Sequence, residues 1–208
     1  MRILYYVAIV HSPEESGHSR ERVKEYLKKR WGEEAISQTE KMITDYWQVA
    51  DQKIENEKEK GNLEPSNLSI YVDSLPIGME EKFAKSGMEA KIPYWLIIKK
   101  LTDKGAKLVG TEDPKLYFTE AQECNQALGM MDFDSIYLKR ITFQDLKKIE
   151  RTELTQQRDK FIAGRINETL SENGIGLLFL GAIHKVVEEL DKLEEAGQLS
   201  SPMKVIYL

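Results

Sequence analysis

The sequence predicts an α/β protein: a mostly parallel open sheet of about five strands, helices on both faces, and one long helical extension. Two stretches carry most of this. Ile175-Gly176-Leu177-Leu178-Phe179-Leu180 and Ile3–Val10 are near-continuous apolar runs, which suit strands buried on both faces of a parallel sheet rather than half-exposed ones. The third observation is alternation, because strand-like segments and helix-like segments take turns along the whole chain.

The first strand, Ile3–Val10, ends on His11. Ser12 then fits an N-cap, Pro13 the first helical position and Glu15 the third, as in a capping box. A helix start so close to a strand end would set backbone N–H groups beside His11, a natural anion site. Gly17-His18 allows a break. From Ser19 to about Lys60 the apolar residues Tyr26, Leu27, Trp31, Ile43, Tyr46, Trp47, Ala50 and Ile54 recur at helical steps. An unbroken helix of about forty residues would be about 60 Å long, so Gly32 is expected to kink or break it. The piece at 33–60 ends in the fully polar Glu55–Lys60. It reads as an arm on a single domain spanning 1–208, partly leaving the body and joining a homodimer around Trp47.

Leu68–Asp73 is the second strand, followed by a short helix at Met79–Lys85 and a stronger one at Pro93–Lys104. Ala106–Thr111 is the third strand and closes on Glu112-Asp113, with Asp113-Pro114 starting a helix over roughly Lys115–Leu128. After an irregular connection at Gly129–Lys139, Thr142 can cap a helix from Phe143 to Ser171. Arg158 shares that helix's inward stripe with Ile162 and Ile166. Ile175–His184 is the fourth strand, 186–196 a helix, and Met203–Leu208 the last strand.

A net charge of −5 without a basic stripe argues against a nucleic-acid partner. Cys124 is the only cysteine, which excludes an intrachain disulfide and a cysteine metal cage. No apolar run reaches the roughly 18 residues of a membrane span, and no leader precedes the first strand. A cytoplasmic protein with no membrane partner is expected.

Chemistry is expected at the carboxyl ends of the strands, where open α/β sheets bind ligands. His11, Glu112 and His184 each end a strand, and Asp73 ends another. Two histidines and a glutamate make a ligand set for a divalent metal such as manganese, zinc or cobalt, which would turn bound water into a nucleophile. Without metal, a histidine–glutamate pair beside Arg158 could act as general base next to an anion clamp. Asp113 reads as a cap, while the parts played by Glu15, His18 and Asp73 stay open.

The segment Arg158-Asp159-Lys160-Phe161-Ile162-Ala163, with Ile166, Leu170 and Gly181-Ala182-Ile183-His184, resembles the carboxyl-terminal signature of the TraB/Tiki, ChaN and erythromycin-esterase-like group. Leu108–Asp113 is similar to that group's strand ending in glutamate, and Val7–His11 to its first Gly-x-x-His strand, with Ala8 in place of glycine. The resemblance implies catalytic roles for His11, Glu112, Arg158 and His184, and for His11, Glu112 and His184 as metal ligands. The activities it implies are metal-dependent peptide cleavage, metal-free ester hydrolysis or haem-related binding. Two classes of function are therefore expected: a hydrolase acting on a small molecule or peptide, or a non-catalytic ligand-binding or regulatory module on the same scaffold. Nucleotide binding at Ser12–Glu15 is weaker, since no glycine-rich phosphate loop is present.

Overall fold

The computed structural model describes residues 1–11, 20–120, 122 and 153–208. Five strands form one sheet: β1 (Arg2–Ile9), β2 (Leu68–Val72), β3 (Lys107–Val109), β4 (Ile175–Gly181) and β5 (Met203–Tyr207). Their order is β3-β2-β4-β1-β5, and every pairing is parallel. The mostly parallel sheet expected from the apolar runs is thus parallel throughout. β4 lies at the centre, paired with β1 on one side and β2 on the other, and is buried from Gly176 to Gly181. That double burial is what its unbroken apolar run anticipates.

Side chains of alternate residues leave the sheet on opposite faces. Tyr5, Val7, Ile9, Ile70, Val72, Leu177 and Phe179 pack with α1 (Arg20–Glu59), α2 (Glu80–Glu89) and α3 (Pro93–Thr102). On the other face Leu4, Tyr71, Leu178 and Leu180 pack with α4 (Glu153–Thr169) and α5 (Val186–Glu195). β1 and β2 therefore hand the chain to one face and β4 to the other. The carboxyl edge beside strands whose chain exits diverge in this way is the usual ligand position in open α/β sheets.

Gly32 breaks α1 with φ 83° and ψ 164°, in the left-handed region that glycine enters without steric cost. The second half of that helix departs from expectation. Trp47 is 4% exposed, packs at 5.6 Å from Tyr94, and donates its indole N–H to the Val10 carbonyl at 3.1 Å. Ala50 and Ile54 are buried beside it. Even the polar end stays on the body, where Glu57 accepts hydrogen bonds from the Tyr5 hydroxyl and the Asn62 amide. Trp47 thus belongs to the core rather than to an outward dimer face, because apolar burial against Tyr94 outweighs the polarity of its neighbours. Among the described side chains of α1, Trp31, Met42 and Val49 are large apolar residues left exposed.

Two strands, β3 and β4, are each three residues shorter than expected. β4 stops at Gly181, and Ala182–Lys185 turn away, with the His184 N–H donating to the Gly181 carbonyl at 3.1 Å. His184 therefore sits in the turn beyond the strand. β3 stops at Val109 because its continuation follows the exit of β2: Thr111 and Glu112 donate to the Leu75 carbonyl, and Ile77 donates to that of Glu112. The Asp113 carboxylate caps the next helical stretch, 114–120, by accepting from Lys115 and Leu116 N–H at 2.7 and 3.1 Å.

At the opposite, amino-terminal edge Arg2 is fully buried. Its guanidinium donates to the Asn167 carbonyl and side-chain oxygen of α4, each at 2.9 Å, and to the Ser201 carbonyl. Glu15, His18, Cys124, Thr142 and the stretch 123–152 lie outside the described residues.

Candidate active site

Three exits and one helix build the site. The turn after β2 brings Asp73, the bridge after β3 brings Glu112, the turn after β4 brings His184, and α4 brings Arg158 and Asp159 across the edge. Ser74 takes φ 61°, an uncommon conformation for a residue with a side chain, and turns the chain sharply after Asp73. Its N–H donates to Glu112 Oε1 at 3.3 Å, and its hydroxyl to Asp73 Oδ1 at 3.2 Å.

His184 is held on both ring nitrogens. Nδ1 lies 2.5 Å from Asp159 Oδ1, while Nε2 lies 3.4 Å from Asp73 Oδ1. Asp159 is itself fixed by the Lys185 N–H, which donates to its Oδ2 at 2.9 Å. The Gly181 N–H donates to Asp73 Oδ2 at 3.1 Å. A Cβ at Gly181 would stand 2.9 Å from Asp73 Oδ2, so any larger residue there would push the Asp73 carboxylate out of place.

Arg158 spans the carboxylates. Nε donates to Glu112 Oε2 at 3.1 Å, and Nη2 to Glu112 Oε1 at 2.5 Å and to Asp73 Oδ1 at 3.3 Å. Nη1 donates to Glu120 Oε2, and Glu120 Oε1 accepts from the Thr155 hydroxyl at 3.2 Å. Four of the guanidinium's five N–H donors are thereby occupied.

Burial and pairing oppose each other in this network, and pairing wins. Burial alone would pull the His184 imidazolium down, but its hydrogen bonds to Asp159 and Asp73 and their charges push it up to about 9. Burial would likewise raise Asp73, yet the His184 hydrogen bond and the charges of His184 and Arg158 hold its carboxyl well below the usual range. Arg158 stays firmly charged, burial being outweighed by Glu112. At neutral pH His184 therefore carries both ring protons.

Of the residues expected from the sequence, Glu112 and Arg158 meet directly, and His184 joins them through Asp73. His11 lies on the same sheet edge, two residues past the end of β1, and is exposed. Asp73 is an integral member. Asp159 and Glu120 were not singled out by sequence reasoning. Asp159 sits one turn from Ala163 on the buried stripe of α4, a signal that could have found it. Glu120 carried none.

Asp73, Glu112 and His184 offer the donors a divalent metal takes. As packed they do not fit one, because the Arg158 guanidinium stands between Asp73 and Glu112 as their counter-charge. Among the described residues no group of three or more histidine, cysteine or acidic side chains is set to hold an ion. The arrangement can hold a proton on an imidazole fixed between two carboxylates. No helix among the described residues is long and apolar enough to cross a membrane. No family model, curated protein or solved structure matches the chain.

Proposed function

We propose that the chain is a hydrolase whose acid–base group is His184. The observation that carries this reading is the imidazole fixed between Asp159 and Asp73 at the carboxyl edge, where the chain leaves β2 and β4 toward opposite faces of the sheet. Asp159 sets the ring orientation and tautomer. His184 delivers its Nε2 proton to the departing oxygen or nitrogen as the bond to it breaks. Asp73, held ionised, orients the attacking water, and the proton that the water loses goes to the Nε2 that His184 has just vacated, so the protein ends unchanged. Glu112 and Arg158 are positioning residues here, since each is committed to the other. The resemblance to the TraB/Tiki, ChaN and erythromycin-esterase-like group nominates His184, Glu112 and Arg158 among these side chains, and His11 besides.

A screen of esters, peptides and phosphoesters tests this, run with chelator and with added manganese or zinc. Wild type is expected to turn over one class, and His184→Gln to lower kcat by about 10²–10⁴. The rate is expected to fall as pH rises through about 9, where His184 loses the proton it donates. Full activity in His184→Gln, or no turnover in any arm, overturns the proposal. Activity only with added metal, lost in His11→Ala, favours instead the metal form built on His11, Glu112 and His184, which requires Arg158 to withdraw.

One observation favours a second reading, a ligand-binding module without turnover. Glu112 and Asp159 are fully enclosed, and the His184 side chain is only 3% exposed. A ligand that raises Tm without being consumed would support that alternative.

A further inference from the structure

The three carboxylates around Arg158 are not equivalent. Glu112 is sealed, Asp73 is 9% exposed, and Glu120 is 21% exposed, the most open of the three. Glu120 is also held differently, with one oxygen on Arg158 Nη1 and the other on the Thr155 hydroxyl. Thr155 and Arg158 are 6% and 5% exposed. Three residues apart on α4, they aim two buried donors at one carboxylate.

We propose that Glu120 is an internal stand-in for the carboxylate of a ligand: a monoanionic carboxylate displaces it and takes the donors of Arg158 and Thr155. The inference rests on the cluster being a substrate site and adds the class of group that site accepts. A free carboxylate reproduces the two-oxygen contact that Glu120 makes, which a halide cannot. The exchange trades one negative charge for another, so the buried balance with Asp73 and Glu112 is kept. An anion added beside all three carboxylates would meet repulsion instead. A tethered carboxylate competes at an effective concentration on the order of millimolar or above. Wild type therefore binds free carboxylates weakly, and removing the tether exposes the site.

The test titrates acetate, with chloride as control at constant ionic strength, into wild type, Glu120→Ala, Glu120→Gln and Glu120→Ala/Thr155→Val. Binding is read from the Arg158 Nε–H resonance. Glu120→Ala is expected to bind acetate at least tenfold more tightly than wild type, and the added Thr155→Val to lose most of that gain. Glu120→Gln, which keeps the side-chain shape, guards against a folding artefact and is expected to lie between. Equal acetate affinity in wild type and both single variants overturns the inference, as does a gain that chloride matches. Turnover is not read in this titration. Failed hydrolysis with acetate binding as expected sinks only the catalytic reading, and unchanged affinity with hydrolysis intact sinks only this one.

Discussion

His184 couples the site to folding. A histidine raised from 6.5 to about 9 in the folded chain binds its proton more tightly there than when unfolded. Its contribution is complete below the unfolded value and is lost as pH rises through about 9, and the shift corresponds to about 3 kcal/mol. The lowering of Asp73 reports the same interaction from the other partner, so the two are counted once. Urea denaturation of wild type is therefore expected to show stability declining by about that amount between pH 6.5 and 9.5. His184→Gln should flatten that slope. An identical slope in both proteins would show that the imidazole is not paired as described. At this scale the sequence was only partly readable. Arg158 stood out as a charge on an apolar stripe, and strand-end logic pointed to Glu112 and His184. The partners of these residues lie far away along the chain, 25 positions for His184 and Asp159 and 85 for Arg158 and Asp73. Spacing alone cannot reveal such pairs, and Glu120 looks like any solvated glutamate on a helix.

Elements were more legible, because each rests on a local physical signal. Apolar runs located the strands, the left-handed freedom of glycine located the break in α1 at Gly32, and Asp113-Pro114 located a helix start that the structure shows capped. What misled was polarity read along one helix without its neighbours. Glu55–Lys60 is charged, yet Trp47, Ala50 and Ile54 a turn or two earlier are core residues. Trp47→Ala is accordingly expected to cost about 3–5 kcal/mol by chemical denaturation, the range for deleting a buried aromatic. Trp31→Ala, at a position 55% exposed, should cost well under 1 kcal/mol. Similar losses in the two would place Trp47 outside the core.

Over the whole molecule, stability is graded from the centre of the sheet to its edges. β4 has a strand on each side and helices above and below, whereas β3 and β5 are edge strands of three and five residues. Amide hydrogen exchange is expected to be slowest in Leu177–Leu180, proceeding there only through global unfolding, and fastest among the strands in β3 and β5. Exchange in β4 as rapid as in β5 would contradict the central placement. The site hangs from this rigid centre through short turns, so its acid–base groups are anchored to the slowest-opening part of the fold.

The arginine at the far rim gives α4 a second fastening. Asn167 grips Arg2 near one end of the sheet, and Arg158 grips the carboxylates at the other, so the helix is riveted at two points about 13 Å apart. A rod pinned twice can neither slide along the sheet nor swing about one end. Among the described residues, adjustment that admits a ligand is then left to the Glu120 side chain and to the bends at 73–77 and 182–185, which makes those bends the place to look for sequence changes that retune selectivity without disturbing the frame.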